Sequence, residues 1–242
     1  YPVCIATELT PAAPLRARIL GLPFVAFRDA VGQAHVLADT CVHRGGALHK
    51  GKLVNGHLAC PYHGWQFDGT GRCVHIPSLG ADGNIPARAK VDSYPVIEHY
   101  GIVFAFLGDL PEAERPALFE IPEWGQDQWR ASGLVVFELN AYFERSMENG
   151  LDPVHNEFVH TLQGNIRFRP DCMRVSNGDW GSEVFVRMDP PKPGTTQLEN
   201  LRNDAQPEDF GASSGHYGPN TLVTRINLSK VNTLVQYFFE QP

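Results

Sequence analysis

Two groups of side chains in this 242-residue chain have the types and spacing to bind metal. The first is Cys41-Val42-His43, then sixteen intervening residues, then Cys60-Pro61-Tyr62-His63. Two thiolates and two imidazoles suit a tetrahedral zinc, or a two-iron, two-sulfide cluster in which the cysteines hold one iron and the histidines the other. Spacing alone does not choose between them. The second group lies in Met147-Glu148-Asn149-Gly150-Leu151-Asp152-Pro153-Val154-His155-Asn156-Glu157-Phe158-Val159-His160. His155 and His160 are five residues apart, which on a regular α-helix would put them about 140° from each other. A helix break must bring them together, and Gly150 and Pro153 supply the means.

The elements that must position these residues can be read in outline. Pro23 to Arg28 and Ala34 to Ala38 are strand candidates either side of the turn Asp29-Ala30-Val31-Gly32. Lys52-Leu53-Val54 and His57-Leu58-Ala59 flank Asn55-Gly56, a pair that accepts the positive φ angles of a type I′ hairpin. That hairpin falls between the two Cys-His pairs and folds the second back beside the first. Trp65-Gln66-Phe67 and Arg72-Cys73-Val74 form a further hairpin, and Tyr100 to Leu107 a buried strand. Short strands at this spacing predict a small antiparallel β domain. A Pro- and Glu-rich stretch from Leu110 to Trp129 marks a boundary near residue 128, giving domains 1–128 and 129–242. Beyond it, Leu134 to Ala141 is expected as a strand and Tyr142 to Thr161 as a broken helix. A long loop is expected from Pro190 to Gly218, then strands Thr221 to Asn227 and Thr233 to Phe239. The fold class is therefore α+β, an all-β first domain followed by helices with an antiparallel sheet.

Composition narrows the class of partner. Twenty Lys and Arg against 27 Asp and Glu give a net charge of −7 without long blocks, which argues against nucleic acid and against an anionic membrane surface. No apolar run is long enough to cross a bilayer as a helix. Cys4, Cys41, Cys60, Cys73 and Cys172 are odd in number and widely spaced, so a disulfide framework is not expected and a cytoplasmic, reducing setting is. The chain opens at Tyr1 without methionine and stops just after an apolar strand, so the native polypeptide is expected to continue. No Rossmann fingerprint is visible, and Asp68-Gly69-Thr70-Gly71 is a hairpin turn because no helix follows it.

Through Cys41-Val42-His43-Arg44-Gly45-Gly46 and Cys60-Pro61-Tyr62-His63-Gly64-Trp65 the sequence resembles the Rieske domain of aromatic-ring-hydroxylating oxygenases. Val42 departs from the proline more often found there, at a position that is not a ligand. Respiratory-chain Rieske proteins carry two more cysteines, joined as a disulfide, where this chain has Gly46 and Tyr62. A low-potential cluster, toward about −150 mV, is therefore implied. The resemblance continues into the second group, where the family has an acidic residue followed by histidines three and eight positions later. It implies that Cys41, His43, Cys60 and His63 bind a Rieske [2Fe–2S] cluster and that His155 and His160 bind a mononuclear Fe(II).

By the same resemblance Asp152 is the carboxylate linking an iron-ligand histidine to a Rieske histidine of a neighbouring subunit, and Asn149 stands near the iron. A blander reading makes Asp152 a helix cap before Pro153. The family's third iron ligand is a downstream Asp or Glu; Asp204, Glu208, Asp209 and Glu240 are the late acids, and none is assigned. The implied protein is the oxygenase component of a homotrimer. It takes O₂ and electrons from a separate reductase or ferredoxin and acts on a small organic, aromatic or cyclic substrate. The other readings are a Rieske ferredoxin-type electron carrier, which leaves residues 147–160 without a role, and a zinc-binding interaction module. His35, His49, His57, His75, His99 and His216 carry no partner pattern, although His216 is placed where it could face a substrate pocket.

Overall fold

The computed structural model describes residues 1–80, 83–160, 167–189, 210–229 and 231–242. Among these the chain forms two compact units, each described here by itself. One comprises Tyr1–Ala117, Ser132–Val135 and Gln241–Pro242, the other Leu118–Ala131 and Val136–Glu240. The expected boundary at residue 128 falls in the stretch where the chain passes between them.

The first unit is built from three antiparallel sheets. Strands β1 (Pro2–Ile5), β2 (Leu15–Ile19), β3 (Leu22–Arg28), β4 (Ala34–Ala38), β5 (Lys52–Val54), β6 (His57–Ala59), β7 (Gln66–Phe67), β8 (Cys73–His75), β9 (Ser93–Tyr94), β10 (Val96–His99) and β11 (Ile102–Ala105) follow in chain order. They assemble as β1-β11-β10, β2-β3-β4-β9 and β5-β6-β7-β8. The hairpins read from sequence are present. Asn55 and Gly56 both take positive φ, as a type I′ turn demands, and pair Val54 with His57.

Strand β3 organises this unit. Phe24, Val25, Ala26 and Phe27 are all buried because the strand has cores on both faces. Alternation sends Val25 and Phe27 into one cluster with Leu37, Leu48, Leu58 and Phe67, and Phe24 and Ala26 into another with Val3, Ile19, Val36 and Val103. Each of these large side chains contributes about 1.5–3 kcal/mol by leaving water. Cys41 and Cys60 belong to the first cluster, so the loops that carry them are anchored in a packed core rather than suspended in solvent.

The second unit opens with helix α1 (Phe143–Leu151) and the short α2 (Asn156–Val159), followed by β12 (Arg167–Asn177), β13 (Gly181–Asp189), β14 (Gly211–Tyr217), β15 (Thr221–Asn227) and β16 (Thr233–Phe239). These five strands form a meander in sequence order. α1 packs on β14 and β15, where Gly150 lets the helix approach closely: a Cβ there would lie 2.6 Å from Leu222 Cδ1. The sheet residues on the Leu222 face include Ala212, Ile226 and Val186, which join the small core with Phe168, Met188, Phe210 and Leu228.

Three expectations are corrected. Leu134 to Ala141 is not a strand: Val136, Phe137 and Leu139 are exposed and the stretch has no assigned secondary structure. β-Propensity alone does not make a strand without a partner to complete the ladder. β12 and β13 have no clear signature in the sequence, because their charged and polar residues hide the alternation. The proposed loop from Pro190 ran too long, since β14 begins at Gly211 within it; its earlier part, with Asp204, Glu208 and Asp209, lies outside the described residues, as does Thr161.

The opposite face of the sheet carries a polar clasp. Tyr237 Oη and Arg225 both donate to the Glu123 carboxylate, Arg225 at 2.7 Å. Burial raises the carboxyl's pKa, but the hydrogen bonds from Tyr237 and Arg225 outweigh it and hold the group below its ordinary range. A depressed carboxylate stabilises the fold above its unfolded value of about 4.3, and that contribution is lost as pH falls through the folded value. Glu123→Ala should lower stability by about 1–3 kcal/mol at pH 7, less at pH 3, as read from thermal unfolding at the two pH values.

Candidate metal centres

The two Cys-His segments fold into twin loops. In the first, Cys41 N–H donates to Gly46 O and Gly45 N–H to Cys41 O, both at 2.9 Å; in the second, Cys60 N–H donates to Trp65 O at 2.8 Å and Gly64 N–H to Cys60 O at 3.0 Å. Gly45 and Gly64 occupy equivalent places with φ of 71° and 72°, a conformation disfavoured for any residue with a side chain. In this shared frame the histidines are not equivalent, since His43 stands two positions after its cysteine and His63 three. The repeat is visible in the sequence as Cys-x-x-x-Gly, a signal easily passed over because the histidine moves within it.

The four side chains gather as two pairs. Cys41 and Cys60 are both buried, in the same core cluster. Burial pushes the Cys41 thiol up to about 11, and Cys60 adds to this against the backbone N–H groups of His43 and Arg44, which donate to its sulfur. The imidazoles of His43 and His63 meet at a centroid separation of 4.6 Å. His43 Nδ1 is buried and has no hydrogen-bond partner, an arrangement that costs free energy unless something positive binds there. Burial, then His63 and Arg44, hold His43 below its usual pKa, in the neutral form a metal ligand needs. Paired thiols and paired imidazoles suit a two-iron cluster. Among the described residues no three or more His, Cys, Asp or Glu side chains are arranged around one ion.

The surroundings are tight. A Cβ at Gly46 would lie 3.1 Å from Cys60 Sγ and 3.4 Å from Tyr62 Cβ. Gly46 and Tyr62, where respiratory-chain relatives have their extra cysteines, thus face each other across the loops. The base of the first loop is pinned by Asp39, 4% exposed, whose carboxylate accepts His49 N–H at 2.7 Å and lies 2.5 Å from His49 Nδ1. The sequence offered no pattern for that pair, nor for the rings that cover the histidines: Trp65 stacked on His43, and Tyr62 against His63.

The second site is formed where the helix breaks. α1 ends at Leu151, Asp152 has extended backbone angles, and His155 and His160 flank the single turn of α2. Their rings stand 5.2 Å apart at 63°. His155 Nδ1 is a second buried nitrogen without a hydrogen-bond partner, and Asp152 Oδ2 is 3.7 Å from it. Asp152 Oδ1 accepts Val154 N–H at 2.8 Å, a local turn bond ahead of α2, while Oδ2 is the oxygen nearer the histidine. Asn149 is exposed on the last turn of α1, its carbonyl accepting Asp152 N–H at 3.3 Å. Glu240 accepts from Ser146 Oγ at 2.8 Å and is engaged there. His216 lies in β14, not in a loop, and lines an open groove of about 510 Å³ with Asn177, Trp180 and Pro219.

Known proteins resemble this chain in sequence and fold. The family model described as the Rieske [2Fe-2S] domain matches residues 1–95. The oxygenase component of dicamba O-demethylase from Stenotrophomonas maltophilia is 36% identical over 213 residues, covering 86% of this chain and 61% of that protein. Protein TIC 55, chloroplastic, from Pisum sativum is 28% identical over 268 residues, covering 99% of this chain and 47% of its own length. The chain therefore spans between about half and two thirds of these relatives. The crystal structure of dicamba monooxygenase bound to 3,6-dichlorosalicylic acid superposes with a TM-score of 0.76 at 28% identity, covering 93% of this chain and 66% of that one.

Gly46→Val should empty the first site, because its branched side chain would displace Cys60 Sγ and Tyr62. The expected result is iron and labile sulfide reduced several-fold, with loss of visible absorption, in a protein whose far-ultraviolet circular dichroism is unchanged.

Proposed function

The chain belongs to the Rieske non-haem iron oxygenases, and from that membership we propose that it is the oxygenase component of a multi-component system inserting oxygen from O₂ into a small organic substrate. The observation that carries this over the electron-carrier reading is the second site. Two histidines flank one helical turn, and one of them keeps a buried, unpartnered nitrogen beside a carboxylate. A carrier has no use for it.

Cys41, His43, Cys60 and His63 would hold the Rieske cluster, and His155 and His160 would supply two ligands to a mononuclear Fe(II). When bound, the cluster supplies single electrons and the Fe(II) site supplies O₂ activation. The chain's own residues do the rest. Asp152 Oδ2, 3.7 Å from His155 Nδ1, sets a negative charge beside that ring without hydrogen-bonding to it. Oδ1, held by Val154 N–H, keeps that carboxylate from swinging away. The twin loops exclude water from the thiols while leaving His63 exposed for electron entry and exit.

The substrate class proposed is an aromatic or cyclic organic molecule, in line with a relative whose name is dicamba O-demethylase. The electron donor proposed is a separate reductase or ferredoxin. The assembly is a homotrimer in which Asp152 of one copy meets His63 of another, supported by the exposure of both: His63 is exposed and the Asp152 side chain is half-exposed. The compartment is a cytoplasmic, reducing one, in keeping with five unpaired cysteines.

Metal analysis separates the two function classes. Three irons for two labile sulfides per chain supports the oxygenase, whereas two irons for two sulfides supports the carrier. Asp152→Asn should retain both metal sites yet lower product formation by about 100-fold, assayed with a reductase and a panel of aromatic acids and ethers. Unchanged turnover in that variant would remove Asp152 from the mechanism.

A further inference from the structure

Trp65 joins the two cluster loops by opposite ends. Its backbone carbonyl accepts Cys60 N–H at 2.8 Å and so closes the second loop. Its indole lies on the histidine of the first, with ring centroids 4.5 Å apart and planes within 5° of parallel. His63 meets the same imidazole edge-on, at 62°. Held between a flat face and an edge, His43 has little freedom to rotate about its ring axis. Its Nδ1 stays inward, buried and without a hydrogen-bond partner. His63 is treated differently. It is exposed, and the ring against it at 3.9 Å belongs to Tyr62, itself 63% exposed.

We propose that Trp65 is a positioning residue for the cluster: it locks the His43 imidazole with Nδ1 toward the metal, and it keeps water off that ligand's face. The proposal rests on the Rieske reading of the first site. One consequence is asymmetry, with His43 the shielded ligand and His63 the one open to a redox partner. A second concerns potential. Reduction adds one negative charge to the cluster, and a ring that replaces water beside a ligand disfavours the more charged state. Trp65 therefore holds the reduction potential down. If Trp65 were only core filling, its loss would lower thermal stability and leave the cluster's electronic properties alone.

The test uses the intact protein carrying Trp65→Leu, Trp65→Phe and, as a comparison, Tyr62→Leu. Iron and labile sulfide are measured first, then the midpoint potential and the reduced-state EPR spectrum. Trp65→Leu at full cluster content should show a higher potential and altered g values. Trp65→Phe, whose smaller ring covers less of the imidazole, should shift the same way by less, and Tyr62→Leu should move the potential less than Trp65→Leu. A Trp65→Leu protein with the potential and EPR spectrum of the wild type overturns the proposal. If the leucine variant does not retain the cluster, Trp65→Phe decides: a raised potential supports the role, and wild-type values overturn it. A wild-type protein without two irons and two sulfides at the first site would instead overturn the Rieske reading itself.

Discussion

Two thiols pressed together at the edge of a hydrophobic core are the constraint on which the first unit depends. Left alone, Cys41 is poorly placed to ionise, since its burial and the neighbouring Cys60 both oppose a thiolate there. Bound metal reverses this, because thiolates then have a cation to face. Everything nearby serves to hold the sulfurs at that spacing. The two-sided core around β3 anchors the loop bases, the Asn55-Gly56 hairpin sets their separation along the chain, and Gly46 leaves room where any side chain would push Cys60 aside. The histidines are added on the outer side of the same frame, one covered by Trp65 and one left open.

The second site uses a different device. A continuous helix would splay His155 and His160 apart, so the chain stops α1 at Leu151, turns through Asp152 to His155, and resumes for four residues. The residue that closes the turn before α2 and the proposed bridging carboxylate are the same side chain, Asp152. Local folding and chemistry are thereby coupled. The rotamer that holds the turn before α2 also sets Oδ2 3.7 Å from His155 Nδ1.

Much of this was legible from residue types. The two Cys-His pairs, the hairpins around them and the strands at Thr221–Asn227 and Thr233–Phe239 follow from spacing and turn chemistry. The failures share a cause. Leu134 to Ala141 is apolar and β-prone yet exposed, while Arg167–Asn177, exposed along nearly all its length, is a full strand. In both, pairing with a neighbouring strand outweighs the side-chain pattern, and pairing is not a local property.

The sequence by itself determined which atoms can bind metal, because thiolate, imidazole and carboxylate are fixed by residue identity and their order by the chain. Only the tertiary structure decided how those atoms are presented. It showed that the cysteines and histidines separate into pairs, and that His43 and His155 each keep a buried nitrogen without a partner. It also showed that Trp65 reaches from one loop to the histidine of the other. Such facts depend on contacts between segments distant in the chain, where burial and stacking are set by the whole core rather than by neighbours in sequence.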